Sequence, residues 1–160
     1  MKRILLFIAV LGLVLTAPAA AGEADAILGL WATDPEGEGG QAHIEIYAEG
    51  DRYNGRIVWL EEPIYPADDE QGMAGQEKVD RENPESALRT RPIIGLVIME
   101  GIKFKGKGSW HKGKIYDPDN GKTYKSKLSL AGDDVLKMRG FIGFSLIGRT
   151  SEWTRVKADG

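Results

Sequence analysis

Lys114-Ile-Tyr-Asp117-Pro-Asp-Asn-Gly121-Lys-Thr-Tyr-Lys-Ser-Lys-Leu-Ser-Leu130 is the stretch that decides the fold. Two strand-like runs, 114–117 and 122–130, flank a turn containing Asn-Gly, the strongest short hairpin signal because both residues accept positive φ. The same grammar continues in both directions, with no long stretch of helical period. Upstream, strands are predicted over 27–34, 42–47, 52–61, 93–99 and 102–110. In the second of these Ala42, Ile44 and Ile46 face one way while His43, Glu45 and Tyr47 face the other. Downstream, 135–142 and 146–156 complete the set. About nine candidates at hairpin spacing predict an all-β domain, a sandwich or a barrel that closes on itself. Gly55, Gly95, Gly106, Gly140 and Gly143 lie inside strand-like runs and suit the bends of a small barrel, so an antiparallel barrel of about eight strands is the expectation.

The chain has 160 residues, with 21 Lys and Arg against 24 Asp and Glu, 28% charged residues and no cysteine. Such a composition fits one globular domain, and a formal charge of -3 argues against a nucleic-acid binder. Without cysteine, no disulfide frame, thiol nucleophile, thiolate zinc site or iron–sulfur cluster is possible. Lys2 and Arg3 precede the apolar run 4–15, and small residues follow at Ala19 and Ala21. Residues 1–21 therefore read as a secretory leader cleaved before Gly22, too short in its apolar part to span a bilayer, which leaves 22–160 as a single barrel domain. An exported chain without cysteine suggests a bacterial envelope, periplasmic or secreted, and no membrane span after cleavage.

One connection breaks the meander. Residues 63–90 show little strand character, and a connection of that length in a compact domain is usually a functional lid or a disordered insert. Near its end Asn83 is placed to cap and Pro84 to begin a short helical turn over Glu85–Arg89. Residues 61–91 hold nine acids and four bases, whereas 103–127 hold eight lysines and two acids. Lys103, Lys105 and Lys107 alternate with Ile102, Phe104 and Gly106, which predicts a basic stripe on one strand face.

Several motifs resemble a known family over the whole domain. They are Gly29-Leu-Trp31, Asp80 with Asn83-Pro84, Leu88-Arg-Thr-Arg-Pro92, Gly113-Lys-Ile-Tyr-Asp-Pro118 with Gly121-Lys-Thr-Tyr124, Arg139-Gly140, and Gly148-Arg-Thr with Trp153. The chain resembles the uncharacterised bacterial family catalogued as domain of unknown function 2147, exported proteins with a lipocalin-like barrel. Gly29-x-Trp31 also resembles the opening of lipocalins, in which the tryptophan closes one barrel end beneath a basic residue of the last strand. Arg149 or Arg155 is the candidate for that part, by cation–π contact. The resemblance implies a lipocalin/calycin-like architecture and an exported address. It implies no reaction.

The remaining motifs have plain structural readings. Gly108-Ser-Trp-His-Lys-Gly-Lys114 has phosphate-loop spacing, but Ile115 stands where a magnesium-binding hydroxyl is required, so a strand turning at Lys112-Gly113 is expected instead. Asp117, Asp119 and Asn120 fall short of a calcium loop because Leu128 stands where the bidentate Glu belongs. His43 and His111 have no acid at ligand spacing and read as surface strand residues. No catalytic frame, metal site or cofactor is predicted.

These readings lead to a binding module that holds a small apolar or amphipathic envelope molecule, with Trp59, Tyr65, Asp80, Arg89, Arg91 and Tyr116 at the pocket or its mouth. Gly29, Trp31, Arg149 and Trp153 are assigned to barrel closure. Two rivals remain. One is a packed barrel that meets an anionic envelope polymer through Lys103, Lys105 and Lys107; the other is a carboxylate hydrolase led by Asp80. The oligomeric state is not legible.

Overall fold

The computed structural model describes residues 19–35, 40–143 and 147–157. Residues 1–18, which carry most of the expected leader, together with Phe144 and Leu146, lie outside the described residues.

Alternation decides the architecture. In β2 (Ala42–Glu49), Ala42, Ile44 and Ile46 are buried while His43, Glu45 and Tyr47 are only half-buried, as a period of two requires. Seven further strands complete the set, with the alternation shifted where bulges fall: β1 (Gly29–Ala32), β3 (Arg52–Leu60), β4 (Val97–Gly106), β5 (Ser109–Asp117), β6 (Lys122–Leu130), β7 (Val135–Phe141) and β8 (Gly148–Arg155). They form a closed antiparallel barrel in chain order. The closing seam is short, with only Trp31↔Arg155 and Ala32↔Thr154 pairing β1 to β8. Inside lie Trp31, Ile44, Ile57, Met99, Ile102, Trp110, Ile115, Leu128, Leu136 and Trp153. Outside, ion pairs such as Arg56–Glu45 at 2.6 Å and Lys137–Glu152 at 3.0 Å cover the wall. That is the reverse of a membrane-spanning barrel, whose outer band is apolar. No described helix is long and apolar enough to cross a membrane.

Small inward residues make room for large ones. Gly113, Ser126 and Gly140 form one row across β5, β6 and β7. A Cβ on Gly113 would lie 2.0 Å from Ile102 Cδ1, so glycine there lets the fully buried Ile102 cross the wall. Ser126 Oγ, buried in the same row, has no hydrogen-bond partner among the described residues.

Three predicted boundaries move. Residues 93–99 and 102–110 do not form two strands, because β4 runs straight through Gly101. That residue takes φ 67 as a bulge, its N–H bonded by Asn54 Oδ1 and its carbonyl by Arg52 Nη1, so pairing continues past the kink. The expected turn at Lys112-Gly113 lies instead at Lys107-Gly108, where both φ values are positive (54 and 60), the combination a tight two-residue hairpin needs. Lys112, at φ 63, belongs to a bulge in which His111 and Lys112 together stand opposite Lys127. At the Asn-Gly turn only Gly121 is left-handed (φ 68). Pro118 to Gly121 form a four-residue loop closed by Gly121 N–H donating to Asp117 O, and the Asp117 carboxylate accepts from Asp119 N–H and the Asn120 amide.

The two barrel ends are finished differently. At one end the N-terminal stretch, helix α1 (Ala19–Ala24) and a 3-10 turn (Asp25–Ile27), lies across the opening. Trp31 Nε1 donates to Ile27 O, Trp110 Nε1 to Ala24 O, Gly108 N–H to Glu23 Oε1 and Tyr53 OH to Asp25 Oδ1. The opposite end carries the β1–β2, β3–β4, β5–β6 and β7–β8 connections, among them the long 61–96 segment. This segment is ordered by its own pairings, Ile64↔Glu77 and Val79↔Pro92, and by a 3-10 turn over Ser86–Leu88, while Ile93 and Leu96 join the barrel core.

Candidate functional site

The connection-bearing end gathers most of the residues singled out from the sequence. Asp80 is its hub and is fully buried. Its Oδ1 accepts from Tyr116 OH at 2.5 Å; its Oδ2 accepts from the Asn83 amide at 2.8 Å and from Arg91 Nε and Nη2, each at 2.8 Å. Charge-assisted bonds of this kind are the strong ones. Burial, then the Asp80 carboxylate, push the Tyr116 hydroxyl up to about 12. Arg89 Nε donates to Asn83 O, so the turn around 83–89 is tied to the same hub. The cluster latches the 61–96 segment onto the outer end of β5. Gly121 completes it, because a Cβ there would lie 1.9 Å from Glu82 O.

With both oxygens of Asp80 engaged by positioned donors, the geometry is that of an anchor rather than of an acid or base facing solvent. Tyr65 belongs to a second small knot in the same segment. Its hydroxyl donates to Val79 O and accepts from Val79 N–H, and the Arg81 guanidinium lies 4.2 Å above its ring. Arg81 in turn holds the Asp69 carboxyl below its ordinary range through a 2.6 Å hydrogen bond. Trp59 stands apart, on β3 against His43 with ring centroids 4.4 Å apart.

The residues assigned to closure separate. Arg155 lies across Trp31 at 4.2 Å from the indole centroid and also donates to Leu28 O, Ala26 O and Asp133 O. Gly29 leaves room beside its Nη1. Arg149 pairs with Gly140 at the other end of β8, away from Trp31, because β8 is antiparallel to β1 and only its C-terminal residues reach the indole. Trp153 is buried in the wall with its Nε1 on Ser151 Oγ.

The lysine stripe is likewise redistributed. Lys103 pairs with Asp51 at 2.8 Å, Lys105 stays on the outer face of β4, and Lys107 belongs to the hairpin turn. Sequence reasoning missed the basic surface next to it, on the outside of β5 and β6. There His111, Lys112, Lys114, Lys125 and Lys127 line an open groove of about 640 Å³ with Phe141. Alternation was the available signal, obscured by the Lys112 bulge. Burial, then Lys105 and Lys127, lower the His111 pKa. No group of three or more His, Cys, Asp or Glu side chains suited to a metal occurs among the described residues.

Among the described residues five large apolar side chains are exposed: Trp59, Ile64, Ile94, Ile142 and Ile147. All five lie at the connection-bearing end, in or beside the β3–β4 and β7–β8 connections.

Against known proteins, no curated protein matches. Among solved structures the chain is similar to "Protein HP1028 from the human pathogen Helicobacter pylori belongs to the lipocalin family", with a TM-score of 0.69 at 21% identity, over 81% of this chain and 82% of that one. The shared feature is the lipocalin-like barrel. A family model described as "Uncharacterized protein conserved in bacteria (DUF2147)" matches residues 29–155, from the glycine beside Arg155 to Arg155 itself, so the chain belongs to that bacterial family.

Proposed function

We propose that the protein is a non-enzymatic binding module of the bacterial envelope that takes a small apolar or amphipathic molecule at the connection-bearing end of its barrel. The observation that carries the reading is that, among the described residues, all five exposed large apolar side chains lie at that end, since exposed apolar surface gathered at one end marks a binding surface more often than scattered apolar residues do. Support comes from the lipocalin-like barrel. Trp59 offers direct contact surface, whereas Tyr65, Asp80, Arg89, Arg91 and Tyr116 hold the segment that borders the opening. The leader-like residues 1–21 support export and cleavage before Gly22.

Native mass spectrometry of the protein purified from its own envelope tests this directly. A reproducible excess mass that is lost on denaturation is the expected result. A bare mass, together with no shift in melting temperature on adding fatty acids or lysophospholipids, overturns the reading.

A further inference from the structure

Four lysines elsewhere pair with acids, Lys78 with Glu62, Lys103 with Asp51, Lys137 with Glu152 and Lys157 with Asp134, while Lys105, Lys107 and Lys122 stand singly, without an ion pair among the described residues. The groove outside β5 and β6 differs in gathering four lysines in one place. Lys112, Lys114, Lys125 and Lys127 converge on it, and none of them makes an ion pair among the described residues. Glu100 stands opposite Lys114 in the register without forming one. Like charges held together on a rigid wall repel one another, and an incoming anion relieves that repulsion.

The groove runs up to two exposed isoleucines. Phe141 lies opposite Lys125 across β6 and β7 and lines the groove. The next residue, Ile142, is 65% exposed, and Ile147, whose carbonyl accepts its N–H, is 71% exposed. A stable soluble surface rarely offers two neighbouring isoleucines to water beside four unpaired lysines. That combination matches the interface of a bilayer, where apolar side chains enter the headgroup layer and ammonium groups meet phosphates. The 61–96 segment at the same end, with nine acids against four bases, opposes an anionic surface. Glu62, Asp69, Asp80 and Glu82 pair with its own Lys78, Arg81 and Arg91, but Glu61, Asp68, Glu70, Glu77 and Glu85 make no ion pair among the described residues, so the contact requires β5 to β7 rather than this segment to face the bilayer.

We propose that the outer face of β5 to β7, together with Ile142 and Ile147, docks the protein on an anionic phospholipid bilayer, the two isoleucines entering the interfacial layer and Lys112, Lys114, Lys125 and Lys127 lying against lipid phosphates. Ile142 and Ile147 also belong to the apolar side chains at the barrel end proposed for the small molecule, but the four lysines lie on the outside of the wall, so their Gln variants test this contact apart from what the barrel holds.

Co-sedimentation with vesicles tests it, using phosphatidylcholine alone and phosphatidylcholine mixed with phosphatidylglycerol, at low and high salt. Binding to the mixed vesicles only, reduced by salt, is expected. Replacing the four lysines with Gln should weaken it about fivefold per lysine at low salt. Ile142→Ser with Ile147→Ser should also weaken it at least tenfold, leaving the melting temperature unchanged because both side chains already face solvent. Ile142→Trp should give indole fluorescence that shifts to the blue on anionic vesicles and is quenched by brominated lipid. Equal binding of the double serine variant overturns the proposal. So does binding to a soluble polyanion such as polyphosphate with none to vesicles, or self-association of the protein in place of vesicle binding.

Discussion

Arg155 joins three structural tasks in one side chain: it covers Trp31, binds the carbonyls of Ala26 and Leu28 in the N-terminal stretch, and binds Asp133 O in the β6–β7 turn. Arg155→Ala leaves those carbonyls and the indole face without a partner, and should cost about 2–3 kcal/mol in urea unfolding. Arg155→Lys should recover less than half of that, since a single ammonium lacks the planar fork. Asp80 and Tyr116 make the corresponding tie at the other end. Asp80→Ala should lower stability by about 3 kcal/mol, because Arg91 then keeps a charge with its partner gone. It should also speed trypsin cleavage within 61–96. His111 gives a different kind of expectation. Its folded pKa is depressed by burial and by Lys105 and Lys127, so the unfolded chain binds its proton more readily. Its contribution to stability is therefore present above the ordinary histidine value of 6.5 and is lost as pH falls below it toward the folded value. His111→Asn should flatten that part of a stability–pH curve, and in NMR titrations His111 should lose its proton at a lower pH than in the unfolded chain.

Among the elements, hairpins were legible where alternation was clean, as in β2 and β6. Boundaries failed where a bulge absorbed a residue. Gly101 looked like a strand end and is a kink that Asn54 and Arg52 hold in register. Lys112, a non-glycine residue at positive φ, shifts the inside–outside pattern of β5, and the groove that depends on this shift could not be read from residue order. The site was legible in part. Asp80, Arg91 and Tyr116 were marked by motif and meet, but their meeting closes a latch, a role that only the burial of the carboxylate and its donors discloses. Gly113 shows the same dependence on packing. Nothing nearby in sequence announces that Ile102 lies over it. Gly113→Ala should cost about 1–3 kcal/mol in thermal or urea unfolding, since the added methyl meets Ile102 and the Glu100 carbonyl, 2.9 Å away. Ile102→Val should return part of that loss in the double variant.

For the whole molecule, the placement of the N-terminal stretch bears on any processing of the leader. A cut before Gly22 keeps every barrel contact made by Glu23 through Leu28. The barrel is also uneven around its circumference. β2 and β3 are joined along their full length, whereas β1 meets β8 at two residue pairs. β1 stands first and β8 last in the chain, so the sheet stays an open ribbon with two bare edges until β8 joins it. In the finished protein the same place is the hinge of least resistance. Native-state hydrogen exchange should release the amides of β1 and the end of β8 well ahead of those in β5 and β6. A disulfide engineered across that join should slow the opening more than one placed across any other pair of strands, and a circular permutant with new ends in the β4–β5 turn should turn the last strand to arrive into an early one.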